Sequence, residues 1–235
     1  MSKKILVTGG DGRFSKILKK ENKKLNLIFR NKNQCNILNF NSIIKCFKKF
    51  KPSIVLHCAG LSRPMKMHET NISKSIDLNI IGTANIVKAC KKFSIKLIYI
   101  SSGYVYSGEK GNYKESDGVK PFNNYGWSKL GGECSVSMYE NSLILRVTMT
   151  EYPFKFNSAY TNLITNFMFH KDFAKLLPNL INKQGIVNVG GKTQSVYNFA
   201  KKYNSKIKKS RLKKNFKLPF NQSMNLIKLK SILKK

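Results

Sequence analysis

Lys4-Ile5-Leu6-Val7-Thr8-Gly9-Gly10-Asp11-Gly12-Arg13-Phe14-Ser15 decides the fold. Five residues of strand character stop at two glycines, and a third glycine follows after one residue. Phe14, Ile17 and Leu18 then repeat at helical spacing, so the segment predicts a strand, a tight turn and a helix. The same rhythm continues outward. Leu25 to Phe29 predicts a second strand, and Ile43, Ile44, Phe47 and Phe50 predict a helix that Pro52 ends. Ser53–His57 predicts a third strand, and Ile72, Ile76, Ile80, Thr83 and Val87 predict one face of a long helix. Ile95–Ile100 is a fourth strand, Tyr125–Tyr139 a helix and Leu143–Val147 a fifth strand. Strands alternating with helices make this an α/β chain with a parallel, doubly wound sheet covered on both faces.

Beyond residue 147 the pattern loosens. Helices are expected around 160–169 and 171–182, and Gly185-Ile186-Val187-Asn188-Val189-Gly190-Gly191 reads as a strand between turns. Two domains follow: residues 1–147 for the sheet, and residues 148–235 for a small lobe and a Lys-rich C-terminal segment. Residues 201–235 hold 13 basic residues and no acidic one, read as a solvated surface helix.

The 235 residues are 41% hydrophobic and 23% charged, which excludes a disordered or collagen-like chain. No apolar run reaches the roughly 18–20 residues of a membrane span, and the N-terminus lacks the pattern of a signal peptide. The net charge is +33. Of 44 basic residues 39 are Lys and 5 are Arg, and there are 25 Asn, a composition that an AT-rich genome imposes. The lysines are scattered, so no specific nucleic-acid partner is expected, although the charge favours anionic substrates. Cys35, Cys46, Cys58, Cys90 and Cys134 form no CxxC and do not cluster with His57, His68 and His170. Reduced thiols, a cytoplasmic location and no metal follow.

The glycine turn between the first strand and first helix suits a pyrophosphate, because glycine lets backbone N–H groups approach and the helix offers its positive end. Ser15 stands where a last small residue is usual. About 20 residues on, NAD sites normally place a carboxylate on the ribose hydroxyls. Here Phe29-Arg30-Asn31-Lys32 has none, and Arg30 suits the extra phosphate of NADP(H). The alternative is that Arg30 and Lys32 are ordinary surface cations. Tyr125-Gly126-Trp127-Ser128-Lys129 places a phenol and an ammonium on one helical face. A neighbouring cation lowers a phenol's pKa from its usual value near 10 and readies it for proton transfer. Ser102, after the fourth strand, is placed to polarise a substrate carbonyl.

These motifs resemble the extended short-chain dehydrogenase/reductases, nearest to the dTDP-4-dehydrorhamnose reductase family. Thr8–Gly12, Lys51–Gly60, Asn79–Asn85, Ile100–Tyr106 and Pro121–Lys129 carry the resemblance. Asn188–Gly191 and Leu218–Asn225 extend it weakly toward the C-terminus. It implies a Rossmann-like fold with a substrate lobe, and Ser102, Tyr125 and Lys129 as catalytic residues. It implies coenzyme contacts from Gly9, Asp11, Gly12, Arg13 and Phe14, with Asn36 and Ile37 beside the adenine. Cys58, Ala59, Gly60 and Ser101 fall beside the nicotinamide, and Asn79 behind the site.

The implied reaction is hydride transfer from NADP(H), or alternatively NAD(H), to C4 of a 4-keto-6-deoxy nucleotide sugar. Tyr125 is then the proton donor, and a homodimer is one expected assembly. Two departures stand out. Thr148–Phe154 replaces the family's glycine- and aromatic-containing loop, and His170–Ala174 matches a late motif arriving early, so the C-terminal substrate lobe is expected to be shortened. Two alternatives remain. One is an epimerase or dehydratase with bound NAD, against which stand the missing carboxylate after strand two and Gly103 after Ser102. The other is a non-catalytic, reductase-like regulatory subunit.

Overall fold

A computed structural model of the protein describes residues 3–213 and 219–234. Strand β1 (Lys4–Thr8) is buried from Ile5 onward, as a central strand covered on both faces must be. Its residues split between two cores. Ile5 and Val7 join Leu18, Leu56 and Phe173 on one face, while Leu6 joins Phe47, Val55 and Ile86 on the other. This follows from the two-residue period of a strand.

Around β1 come α1 (Arg13–Glu21), β2 (Asn26–Arg30), α2 (Phe40–Phe50) and β3 (Ile54–His57). Helix α2 starts where Asn39 caps the Ser42 N–H, and it ends at left-handed Lys51 (φ +45°), one residue before Pro52. Short helices α3 (Lys66–Thr70) and α4 (Ile72–Ile76) lead through a π-helical turn (Asp77–Ile81) into α5 (Gly82–Lys92). Then come β4 (Lys96–Ser102), α6 (Asn124–Ser137) and β5 (Ser142–Val147).

The long helix expected over residues 72–87 is therefore interrupted, and its buried face is different. Of the expected face Thr83 is buried and Ile80 and Val87 are half-buried, but Ile72 and Ile76 are exposed, and Ser75, Asn79 and Ile86 are buried in their place. The π turn inserts an extra residue and rotates the register, so polar groups that bond inward displace the isoleucines from the core face.

Past β5 the helix expected at 160–169 is absent. Short strands β6 (Met149–Thr150), β7 (Ser158–Tyr160), β8 (Ile164–Thr165) and β9 (Met168–Phe169) run there. Their backbones find partners elsewhere: β6 with β9, and β7 and β8 with segments from further along the chain. Helix α7 (His170–Leu180) matches expectation, and β10 (Gly185–Val189) follows. The rest comprises β11 (Gln194–Ser195, paired with β8), α8 (Val196–Lys201), β12 (Lys208–Ser210, paired with β7) and α9 (Ile227–Leu233).

The main sheet is parallel, in the order β10-β5-β4-β3-β1-β2. Strand β10 thus returns from beyond residue 147 to complete it, and α7 packs against α1 through Phe173 on Phe14. A cut at 147/148 would remove both from the sheet domain. The lobe has its own small core of Phe154, Leu163, Phe169 and Phe199. The Lys-rich segment is only partly a helix, since α9 is anchored by buried Leu229. Leu218 lies outside the described residues. The order of strands reverses between β1 and β3, and a crevice opens there at the carboxyl ends of the strands.

Candidate active site

The turn after β1 is held open by its glycines. Gly9 has φ +68°, and a Cβ on it would stand 2.7 Å from the Ala59 Cα. A Cβ on Gly12 would stand 3.0 Å from the Gly9 carbonyl oxygen. The Gly10 N–H donates to the Arg30 carbonyl at 2.8 Å, and the Gly12 N–H to Gly9 at 2.9 Å. Gly12 caps α1 with no side chain, leaving the first-turn N–H groups for an anion. Ser15 is 1% exposed and satisfies the tight packing expected of a small residue. This backbone cradle fits a dinucleotide pyrophosphate.

A buried hydrogen-bond chain locks the loop after β3. Thr83 Oγ1 donates to the Asn79 carbonyl, so it accepts from His57 Nε2 at 3.1 Å. His57 Nδ1 is then the acceptor for Thr8 Oγ1 at 2.7 Å, and Thr8 Oγ1 accepts the Ala59 N–H at 3.2 Å. Burial keeps His57 neutral, its pKa lowered to about 3. Asn79 closes the other side, accepting from the Leu61 N–H (2.7 Å) and donating to the Leu61 carbonyl and Ser128 Oγ. It sits behind the cleft and staples the Gly60–Leu61 loop to α6.

Ser102 ends β4, and Asn123 caps α6 so that Tyr125 falls in the first turn with Lys129 one turn on. All three line one cleft of about 680 Å³ with Asp11, Gly12, Arg13 and Phe14. Cys58, Ala59, Gly60 and Ser101 line it too, and the Ser101 hydroxyl is buried without a hydrogen-bond partner among the described residues.

Burial pushes the Tyr125 phenol up to about 12; a hydrogen bond with Ser102 and the Arg63 and Arg13 charges pull the other way. The expectation that Lys129 depresses the Tyr125 pKa is not what this geometry produces. Lys129 is itself buried, with its Nζ 4.1 Å from the centre of the Tyr99 ring. Burial lowers its pKa to about 7, opposed by Glu133 one turn further on. Desolvation outweighs charge at both groups, so the phenol rests protonated. His68 and Tyr104 meet the Tyr125 ring edge to face, with centroids 5.0 and 5.6 Å away.

Not every expected site residue reaches the cleft. Arg30 turns away, with its guanidinium 4.0 Å above the Phe50 ring. Ile37 is buried in the core beside Gly82, and Asn36 bonds Ser42 and Leu38. Three further cleft residues were not among the expected site residues. Arg63 lines the wall, Glu151 bridges Arg13 (3.2 Å) and Lys155 (2.9 Å), and His170 is held neutral by burial, its pKa lowered to about 4. Arg63 left one signal: arginine is rare in this lysine-rich chain. Among the described residues no group of three or more His, Cys, Asp or Glu is placed to hold a metal ion. No described helix is long and apolar enough to cross a membrane.

Residues 3–169 match the family described as the RmlD substrate binding domain. The chain belongs to that family. Over 158 residues it is 33% identical to methionine adenosyltransferase 2 subunit beta of Pongo abelii, covering 62% of this chain and 46% of that protein. Over 170 residues it is 26% identical to dTDP-4-dehydrorhamnose reductase of Aggregatibacter actinomycetemcomitans, covering 69% and 58%. The chain thus spans about half the length of the curated relatives it matches. Its fold resembles the NADP complex of dTDP-4-dehydrorhamnose reductase from Bacillus anthracis, with a TM-score of 0.85 and 22% identity over 98% of this chain and 92% of that one. The NAD complex of Thermus thermophilus UDP-glucose 4-epimerase gives 0.81 and 16% over 97% and 92%. The fold is that of the extended short-chain dehydrogenase/reductases.

Proposed function

We propose that the protein is an NADPH-dependent reductase of a 4-keto-6-deoxy nucleotide sugar, acting at C4. The observation that carries this reading is Ser102, Tyr125 and Lys129 lining one cleft with the glycine turn. The absence of a carboxylate at the end of β2 favours NADP(H) over NAD(H), as does likeness to a reductase whose structure holds NADP. Gly12, Arg13 and Phe14 would hold the pyrophosphate and Ala59 and Gly60 the nicotinamide end. The bound coenzyme supplies hydride.

Ser102 donates a hydrogen bond to the substrate's keto oxygen and holds it beside Tyr125. The protonated phenol gives its proton to that oxygen as it becomes an alkoxide. Arg63 and Arg13, whose charges favour the ionised phenol, stabilise the phenolate left behind. Lys129, in its ammonium form, would hold the nicotinamide ribose and help re-protonate Tyr125. Thr148–Glu151, Phe167 and His170 line the far side of the cleft and would face the sugar nucleotide.

A second reading is favoured by the 33% identity to the adenosyltransferase beta subunits: a coenzyme-binding subunit without turnover. One experiment separates them. Purified protein and NADPH are mixed with a panel of keto-sugar nucleotides, and absorbance of the reduced nicotinamide is followed. Consumption with at least one sugar supports the reductase; firm NADPH binding with no consumption across the panel supports the subunit.

The pH dependence is a further check. Lys129, with its pKa lowered to about 7, is charged below that pH and neutral above it. The expected kcat/KM for reduction therefore falls as pH rises through about 7. In Lys129→Arg the falling limb vanishes, because guanidinium does not titrate there. A flat wild-type profile between pH 6 and 9 would remove Lys129 from this role.

A further inference from the structure

We propose that Glu151 is an internal anion that competes with the coenzyme's pyrophosphate for Arg13, so that this ion pair across the cleft sets how tightly the coenzyme binds. The inference rests on the reading that the cleft takes a dinucleotide. Arg13 opens α1 directly after Gly12, and its guanidinium is bonded in two directions. Its Nη2 donates to Ser62 Oγ at 3.1 Å, in the loop after β3, and its Nη1 meets Glu151 Oε1 at 3.2 Å. Glu151 follows β6 on the far side of the cleft. One side chain thus joins three segments that line the cleft: the glycine turn, the Gly60–Arg63 loop and Thr148–Glu151.

A carboxylate in this place opposes the binding of an anion. The first turn of α1, with no side-chain cap, is where a pyrophosphate would gain most from backbone N–H groups. Glu151 is only 13% exposed. Burial opposes its ionisation, but the hydrogen bond from Lys155 and the Arg13 charge outweigh it and hold the carboxyl below its usual range. Glu151 therefore stays charged at neutral pH and gives way by moving, not by taking up a proton.

A second partner gives it somewhere to go. Glu151 Oε2 meets Lys155 Nζ at 2.9 Å, and Lys155 is well exposed. A carboxylate shared between an inner guanidinium and an outer ammonium can leave the first without being stranded. Arg13 then exchanges a carboxylate oxygen for a phosphate oxygen, both charged acceptors that suit its fork. Apparent affinity is the intrinsic affinity scaled by the fraction of molecules in which Arg13 is free. Glu151 is one of only 11 acidic residues, and it lies in Thr148–Phe154, where the sequence departs from the family's loop. The competitor is a feature of this chain.

The test is titration of NADPH, by its fluorescence, and of ADP, by calorimetry, into the full chain at about 0.15 M salt. Glu151→Gln keeps the size of the side chain and removes its charge. It should bind both ligands about two- to fivefold more tightly, the range set by a partly exposed ion pair. Glu151→Ala, which leaves no acceptor at all, should gain at least as much and serves if the first variant folds poorly. In an Arg13→Gln background neither change should bring a gain, because nothing is left to compete for. Glu140→Gln removes an exposed carboxylate elsewhere and should change nothing, which separates competition from diffuse charge.

Equal or weaker binding in both Glu151 variants, a gain that persists without Arg13, a gain with NADPH but not ADP, or the same gain from Glu140→Gln would each overturn the proposal. Turnover does not enter these measurements. Tighter binding with no sugar reduced would sink the reductase reading alone, and unchanged binding in an active enzyme would sink this proposal alone. If no protein of the series binds either ligand, both fall.

Discussion

A Tyr125→Phe variant is expected to lose about 10³-fold in kcat for NADPH oxidation, within the range set by removing a general acid. Its affinity for NADPH should change little. The ring remains between His68 and Tyr104, so its packing is retained. Only the hydroxyl is lost, together with its bond to Ser102. A fall in kcat with unchanged coenzyme affinity separates proton donation from a role in binding. The rest state of the site supports the direction of transfer: a phenol raised to about 12 by burial is fully protonated at neutral pH. Stopped-flow reduction with quenching of bound NADPH fluorescence measures both quantities. Wild-type turnover in Tyr125→Phe would end the proposed mechanism.

An Arg146→Met variant is expected to lose about 3–5 kcal/mol of stability, the cost of stranding one member of a buried ion pair. Arg146 on β5 donates to both Glu133 carboxylate oxygens at 2.9–3.2 Å and to Tyr106 Oη at 2.8 Å. The two side chains are only 5% and 3% exposed. This pair ties α6, which carries Tyr125 and Lys129, to the sheet. Without the guanidinium, the Glu133 carboxylate is left buried without its ion-pair partner. A melting temperature lower by roughly 10 °C follows for a chain of this size. The double variant Arg146→Met/Glu133→Leu should recover much of the loss, because no charge is then buried alone. Equal stability of Arg146→Met and wild type, by denaturant titration, would mean that water reaches the pair.

Much of this was legible along the chain. A strand ending in Gly9-Gly10 and followed by a 3.6-residue period specified β1, its turn and α1, because both features are local properties of the backbone. Repetition of that unit implied a parallel sheet, since parallel strands need crossover helices. The spacing of Tyr125 and Lys129 on one helix, and the serine pair at a strand end, were likewise visible without coordinates. The arginines carried a weaker signal. In a chain that uses lysine almost throughout, Arg13, Arg63 and Arg146 mark places where a flat fork is bonded or lines the cleft.

Local reading failed where a distant partner decides the conformation. Residues 160–169 look helical in isolation, but their N–H and C=O groups pair with residues 194–195, 210 and 220. The stripe of Ile72, Ile76 and Ile80 has helical period, yet the π turn and the bonds of Asn79 set which face is buried. Sequence determined the order of the elements and the chemical groups available at the strand ends. Tertiary structure alone decided the protonation of those groups and the direction of Arg30. The physical reason is that desolvation depends on what covers a side chain. Burial moves Tyr125 and Lys129 further than any charge one helical turn away, and no spacing along a chain encodes what lies on top of it.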